Sequence, residues 1–114
     1  MEENNIRWKD FAFDLFGTTW KVHFVDYIEE GESVDFGHTS DVTQEIIIAL
    51  GNKERYKFTK EQIVLTLTHE IMHSIAQTGQ YTDINYDEPF IEGSARCIVS
   101  LINQDVFNYV EKEK

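Results

Sequence analysis

Apolar and polar positions alternate through the first quarter of the chain, and the period then changes. Phe11 to Phe16 and Thr19 to Val25 are rich in aromatic and β-branched residues, which suit a pleated, half-buried surface. Gly17-Thr18 between them predicts a tight turn, and so a hairpin. A third extended run covers 33–39. Thr43 to Leu50 contains consecutive isoleucines at Ile46, Ile47 and Ile48 and ends on Gly51-Asn52, which predicts a strand with both faces partly covered.

From Thr59 onward the period is helical. Thr59-Lys60-Glu61-Gln62 has the form of a capping box, in which a threonine hydroxyl and a glutamine side chain satisfy each other's orphan N–H groups. Gly79 is placed to close the helix in a left-handed cap, so the helix should span about 60–78. Steps of about 100° per residue from His69 put Leu65, His73 and Ala76 on one side, with Ile63, Leu67 and Ile71 opposite. One face should therefore pack on the sheet, while the other meets surroundings that tolerate two imidazoles.

A polar loop from Gln80 to Tyr86 leads to a last helix of about 88–110. Asn85 or Asp87 can cap it, and Pro89 fits its first turn. Its inward face reads as Ile91, Ala95, Ile98, Val99, Ile102 and Val106, and Cys97 is expected on the buried side as a small core residue. Glu88 and Glu92 project on that same side, where two carboxylates are costly unless something positive pairs with them. The expected fold class is α+β. A small N-terminal, mostly antiparallel sheet would pack on the two helices in a single domain over residues 1–114.

Composition narrows the function classes. The 114 residues are 41% hydrophobic and 13% aromatic, unlike a disordered chain, and 10 Lys+Arg against 21 Asp+Glu give a net charge of −11. Such a surface repels a phosphate backbone, which argues against direct nucleic-acid binding and leaves only a mimic that captures a basic partner. The lone Cys97 cannot form an internal disulfide, and the acidic, polar start MEENNIRWKD is unlike a signal peptide. Those two features predict a cytoplasmic protein. No apolar run is long enough for a membrane helix.

The helix 60–78 carries His69-Glu70-Ile71-Met72-His73, an HExxH sequence. Spacing of i, i+4 stacks both imidazoles on one face, where two nitrogens can bind one Zn²⁺ and Glu70 can serve as general base toward water. Such a site needs a third protein ligand. In the HExxHxxGxxH pattern a glycine and a third histidine would follow, but Ala76 and Gly79 occupy those positions. The remaining route is a glutamate on the next helix with a second carboxylate one turn later, and Glu88-Pro89-Phe90-Ile91-Glu92 has that ExxxE form. Both glutamates also suit the first turns of a helix, where the dipole favours acids, an explanation that serves Glu88 better than Glu92.

Together these motifs resemble the gluzincin arrangement of thermolysin-like metallopeptidases. The chain from about residue 15 to 102 is similar to small zincins of phage or mobile-element type. The similar stretches are Gly17 to Val25, Phe36 to Asp41, Gln44 to Ile48, Thr66 to His73 and Glu88 to Ala95. The resemblance implies a zincin-like fold, one Zn²⁺ per chain held by His69, His73 and Glu88, Glu70 as general base, and Glu92 supporting a ligating histidine. It also implies hydrolysis of a peptide or protein substrate, aligned along residues 43–49 as the strand at the sheet edge. Tyr81, Tyr86 and His38 are candidate oxyanion stabilisers, and an acidic rim including Asp83 and Asp87 would favour basic substrates. His23 reads as an ordinary surface residue of a strand. Two rivals stay open: a non-catalytic zinc-binding domain whose coordination is closed by both Glu88 and Glu92, and a metal-free acidic interaction protein.

Overall fold

The computed structural model describes residues 7–29, 36–54 and 56–104. Strand β1 (Phe11–Leu15) and strand β2 (Thr18–Val25) form the expected hairpin, with Leu15 paired to Thr18. Its two turn residues are Phe16 and Gly17, one position earlier than the sequence suggests. Both have positive φ, 49° and 90°, as a two-residue turn between right-twisted strands requires. Strand β3 (Gly37–Ser40) and strand β4 (Glu45–Ala49) form a second antiparallel pair.

The sheet order is β1-β2-β4-β3, with β4 running parallel to β2, so the sheet is mixed. This overturns one expectation. The strand at residues 43–49 is not an edge: β4 lies between β2 and β3, and β3 forms the border of the sheet. The isoleucine run explains the inner position. Ile46 and Ile48 are fully buried and Ile47 is half-buried, as suits a strand with partners on both sides.

Helix α1 (Lys60–Thr78) begins at the capping box: Gln62 N donates to Thr59 Oγ1 (3.1 Å) and Thr59 N donates to Gln62 Oε1 (2.7 Å). It packs Ile63, Leu67 and Ile71 against a core built on Trp20, Val22, Ile46 and Ile48. Trp20 also ties the sheet to the far end of the helix, where its indole N–H donates to Thr78 Oγ1 at 2.9 Å. Gly79 is not left-handed. Its φ is −81°, and the neighbouring Gln80 takes the positive value of 62°. The glycine serves space instead, since a Cβ there would stand 2.5 Å from the Tyr81 ring.

A short helix α2 (Thr82–Asn85) occupies the expected loop, and helix α3 (Glu88–Asn103) follows. Asp87 caps α3 by accepting from Phe90 N at 3.2 Å. The helix ends at Asn103, short of residue 110, and residues 105–110, including Val106, lie outside the described residues. Ile91 and Ala95 are buried against α1, as the apolar repeat predicts. Ile102 and Cys97 are exposed, however: by steps of about 100° Cys97 stands roughly 120° around α3 from the buried Ile91, and Ile102, on the Ile91 side, lies at the end of the helix. The protein is thus a small α+β unit of a four-stranded mixed sheet and three helices. Among the described residues no helix is long and apolar enough to cross a membrane.

Candidate metal centre

His69 and His73 stand one turn apart on the side of α1 turned away from Ile63 and Ile71, with ring centroids 5.1 Å apart. Packing of α3 on α1 brings the first turn of α3 to both rings. Glu88 Oε1 lies 3.2 Å from His69 Nε2, and Glu88 Oε2 lies 3.2 Å from His73 Nε2. Donor atoms of His69, His73 and Glu88 all lie within 4.8 Å of one another.

The opposite nitrogen of each ring has its own partner. His69 Nδ1 is 2.8 Å from Glu92 Oε1, and the other oxygen of Glu92 is 2.7 Å from Arg96 Nε, one turn further along α3. His73 Nδ1 is 2.8 Å from Asn85 Oδ1, which α2 supplies. Carbonyl and carboxylate oxygens accept, so each Nδ1 donates. In a neutral imidazole that leaves the Nε2 lone pair facing Glu88.

Three electron-pair donors thus converge on one point. Without a positive charge between them they repel. Either an imidazole takes a second proton or a cation bridges the group. Each Nε2 lies 3.2 Å from a different oxygen of Glu88 and the three donors lie within 4.8 Å of one another, a cluster that could hold a metal ion. Zinc with bonds of about 2.0–2.1 Å in tetrahedral geometry separates its donors by about 3.3 Å. The donor set of two imidazoles and one carboxylate also fits that ion.

Glu70 is 8% exposed, and its side chain faces β3. Thr39 Oγ1 donates to Glu70 Oε1 at 2.5 Å and lies 3.3 Å from the backbone oxygen of the same residue. The close approach of β3 to α1 depends on Gly37, where a Cβ would stand 2.8 Å from Thr66 Cγ2 and 3.1 Å from Glu70 Cγ.

Two cavities of about 480 and 460 Å³ flank this junction, and Gly37, His69 and Glu70 line both. The first also takes in His73 and Glu88, with His38, Asp41 and Tyr86 at its border. The second runs along Phe36, Leu65 and Thr66 toward Glu92 and Arg96.

Of the three loop and strand residues singled out from sequence, His38 and Tyr86 border the cleft. Tyr81 instead covers Gly79. Asp83 and Asp87 do not line either cavity, and Asp41 is the aspartate that does. Sequence reasoning missed Thr39 and Asn85. Asn85 is legible only as a possible cap, and Thr39 carries no signal beyond its place in the Phe36-Gly37-His38-Thr39-Ser40 run.

His23 lies away from this site. Its Nδ1 is 3.1 Å from Asp10 and its Nε2 is 3.4 Å from Glu45, and the Asp10 hydrogen bond, more than the Glu45 contact, raises its pKa above the usual value. Asp10 in turn accepts from Phe24 N, which with His23 holds its carboxyl below the usual range. Compared with family models, curated proteins and solved structures, the chain matches none.

Proposed function

We propose that the protein is a zincin-like, zinc-dependent hydrolase, a minimal metallopeptidase acting on a peptide or protein. His69, His73 and Glu88 are the metal ligands and Glu70 is the general base. The observation that carries this reading is the convergence of both Nε2 atoms on Glu88 at 3.2 Å while each Nδ1 is tied elsewhere, to Glu92 and to Asn85. That pattern orients neutral imidazoles as ligands, which an arrangement built for surface charge would not need.

Zinc held there would supply a Lewis acid that acidifies water and polarises a carbonyl. The chain's own residues supply the rest. Glu70 is within the same cleft, shielded from bulk solvent and aimed by Thr39, and can accept a proton from an attacking water and return it to a leaving amine. His38 and Tyr86 border the space in which a carbonyl oxygen would develop charge. An extended substrate would lie along β3, the border strand of the sheet among the described residues, since β4 has partners on both sides.

A catalytic site is favoured over a closed structural one because Glu92 is committed to His69 and Arg96. The set of three protein ligands then opens onto a cavity of about 480 Å³.

Elemental analysis of purified protein, beside His69→Ala/His73→Ala, tests the reading. It predicts one zinc per chain in the wild type and loss of zinc in the double variant. A wild-type chain that takes up no zinc on reconstitution would sink the proposal.

A further inference from the structure

Glu70 holds its two carboxylate oxygens in different surroundings. Oε1 accepts from the Thr39 hydroxyl at 2.5 Å, and Thr39 is the sole side-chain donor to this carboxylate among the described residues. Oε2 faces Gly37, and a Cβ built there would stand 3.3 Å from it. Gly37 is also where the two cavities meet. Alternation along β3 turns both Gly37 and Thr39 toward α1, so one short strand closes off the first oxygen and leaves open space beside the second. Thr39 suits that task, because a β-branched side chain in a strand has few rotamers and its hydroxyl is already in place.

We propose that Thr39 is a positioning residue for Glu70: its hydroxyl holds Oε1, so that Oε2, over Gly37, is the oxygen that exchanges protons in the cleft. This rests on the reading of Glu70 as general base. The side-chain hydrogen bonds of Thr39 among the described residues go to Glu70 alone, so from the wall of the first cavity it acts through the carboxylate. A glutamate side chain with free torsions would present either oxygen in several directions, and most of those leave the cleft without an aimed base.

The test uses acetohydroxamate, which ligates zinc through its oxygens and shares its hydroxyl proton with a neighbouring carboxylate. Its affinity for the zinc-loaded full chain is measured by calorimetry for wild type, Thr39→Val, Thr39→Ser, Glu70→Gln and Thr39→Val/Glu70→Gln. Thr39→Val should weaken binding about tenfold in the wild-type background, as expected for loss of a hydrogen bond to a charged group, and should change nothing once Glu70 is glutamine. Thr39→Ser should restore wild-type affinity. Equal losses in both backgrounds, or no loss in either, would overturn the positioning role.

A second readout needs no metal. In glutamate ¹³C-carboxyl-labelled protein, the resonance that Glu70→Gln removes should shift in Thr39→Val and keep its position in Thr39→Ser. An unmoved resonance also counts against the proposal. Zinc content and a thermal melt of each variant establish that it is folded, with Thr39→Ala replacing Thr39→Val if the valine does not fold. Failure of the wild type to load zinc would instead sink the hydrolase reading, which separates the two outcomes.

Discussion

The carboxamide oxygen of Asn85 lies 2.8 Å from Nδ1 of His73, so the four-residue helix between the two long helices supplies the partner of one imidazole. Asn85 and Glu92 do equivalent work for the two imidazoles, one from α2 and one from α3. Substitution of either should leave the ligands in place but loosen their aim. Asn85→Ala and Glu92→Gln are each expected to weaken zinc binding roughly 10–100-fold, measured by competition with a chromophoric chelator. Glu88→Gln, which removes a proposed ligand, should cost more than either. An Asn85→Ala protein with wild-type affinity would show that the His73 contact is incidental.

In the proposed reading, Glu70 separates metal binding from chemistry. Glu70→Gln keeps the size of the side chain and a hydrogen-bonding oxygen for Thr39, so the variant should retain wild-type zinc content. Turnover of any peptide that the wild type cleaves should fall by roughly 10²–10⁴. Peptidase activity that persists in Glu70→Gln would remove it from the role of base.

Gly37 sets how close β3 comes to α1. An alanine there would push its Cβ to 2.8 Å from Thr66 Cγ2, and a threonine on a helix has little rotamer freedom to yield. Gly37→Ala should therefore destabilise the fold by about 1–3 kcal/mol in urea denaturation, the usual cost of overpacking. It should also displace Thr39 from Glu70. Stability equal to wild type would mean that the strand shifts without cost.

Phe16 is fully exposed at the hairpin turn with φ of 49°. A phenylalanine gains nothing there and bears the cost of the left-handed region, whereas asparagine enters it readily and precedes glycine in the favoured hairpin turn. Phe16→Asn should raise stability by about 1 kcal/mol, read from the urea midpoint at unchanged slope. A lowered midpoint would show that Phe16 is held by contacts that the turn geometry does not reveal.

The link of His23 to Asp10 and Glu45 makes a small part of stability pH-dependent. The His23 pKa is raised by its hydrogen bond to Asp10 and then by Glu45, so its contribution is complete below the ordinary value of 6.5 and is lost as pH rises through the higher folded value. The Asp10 pKa is lowered, so its share is present above the ordinary 3.8 and is lost as pH falls below that. The difference in melting temperature between wild type and His23→Gln should be largest near pH 5–6 and shrink toward pH 8. A difference that stays constant over that range would place the effect in packing instead.

Much of the site is legible in the order of residues alone. Capping and period locate α1 over 60–78, and the i, i+4 spacing puts His69 and His73 on one face. Glu88 and Glu92 are legible as acids on the side of the helix that meets α1, although Glu88 keeps 62% of its side chain exposed where the sequence predicts an inward position, and the two strands of the first hairpin are legible as aromatic, alternating runs. All of these are local properties, carried by neighbours within a turn or a strand. Ile102 shows where local periodicity stops: the helical step puts it on the Ile91 side of α3, but whether that end of the helix is covered depends on where α1 lies, while Cys97 stands off that face by the same step.

Local residue order therefore suffices for the elements and the side chains each presents: a capped helix with HExxH on its outer face, strands at 11–25 and 45–49, and an acid-bearing last helix. Only the packed fold settles which strand is the edge, that β4 pairs parallel to β2, and that Thr39 meets Glu70 across 31 positions and Asn85 meets His73 across 12. The physical reason is that strand order and cross-chain hydrogen bonds follow from how apolar faces cover one another, a property of the whole assembly of elements. Periodicity, which reports only the environment of one segment, carries no record of the partner.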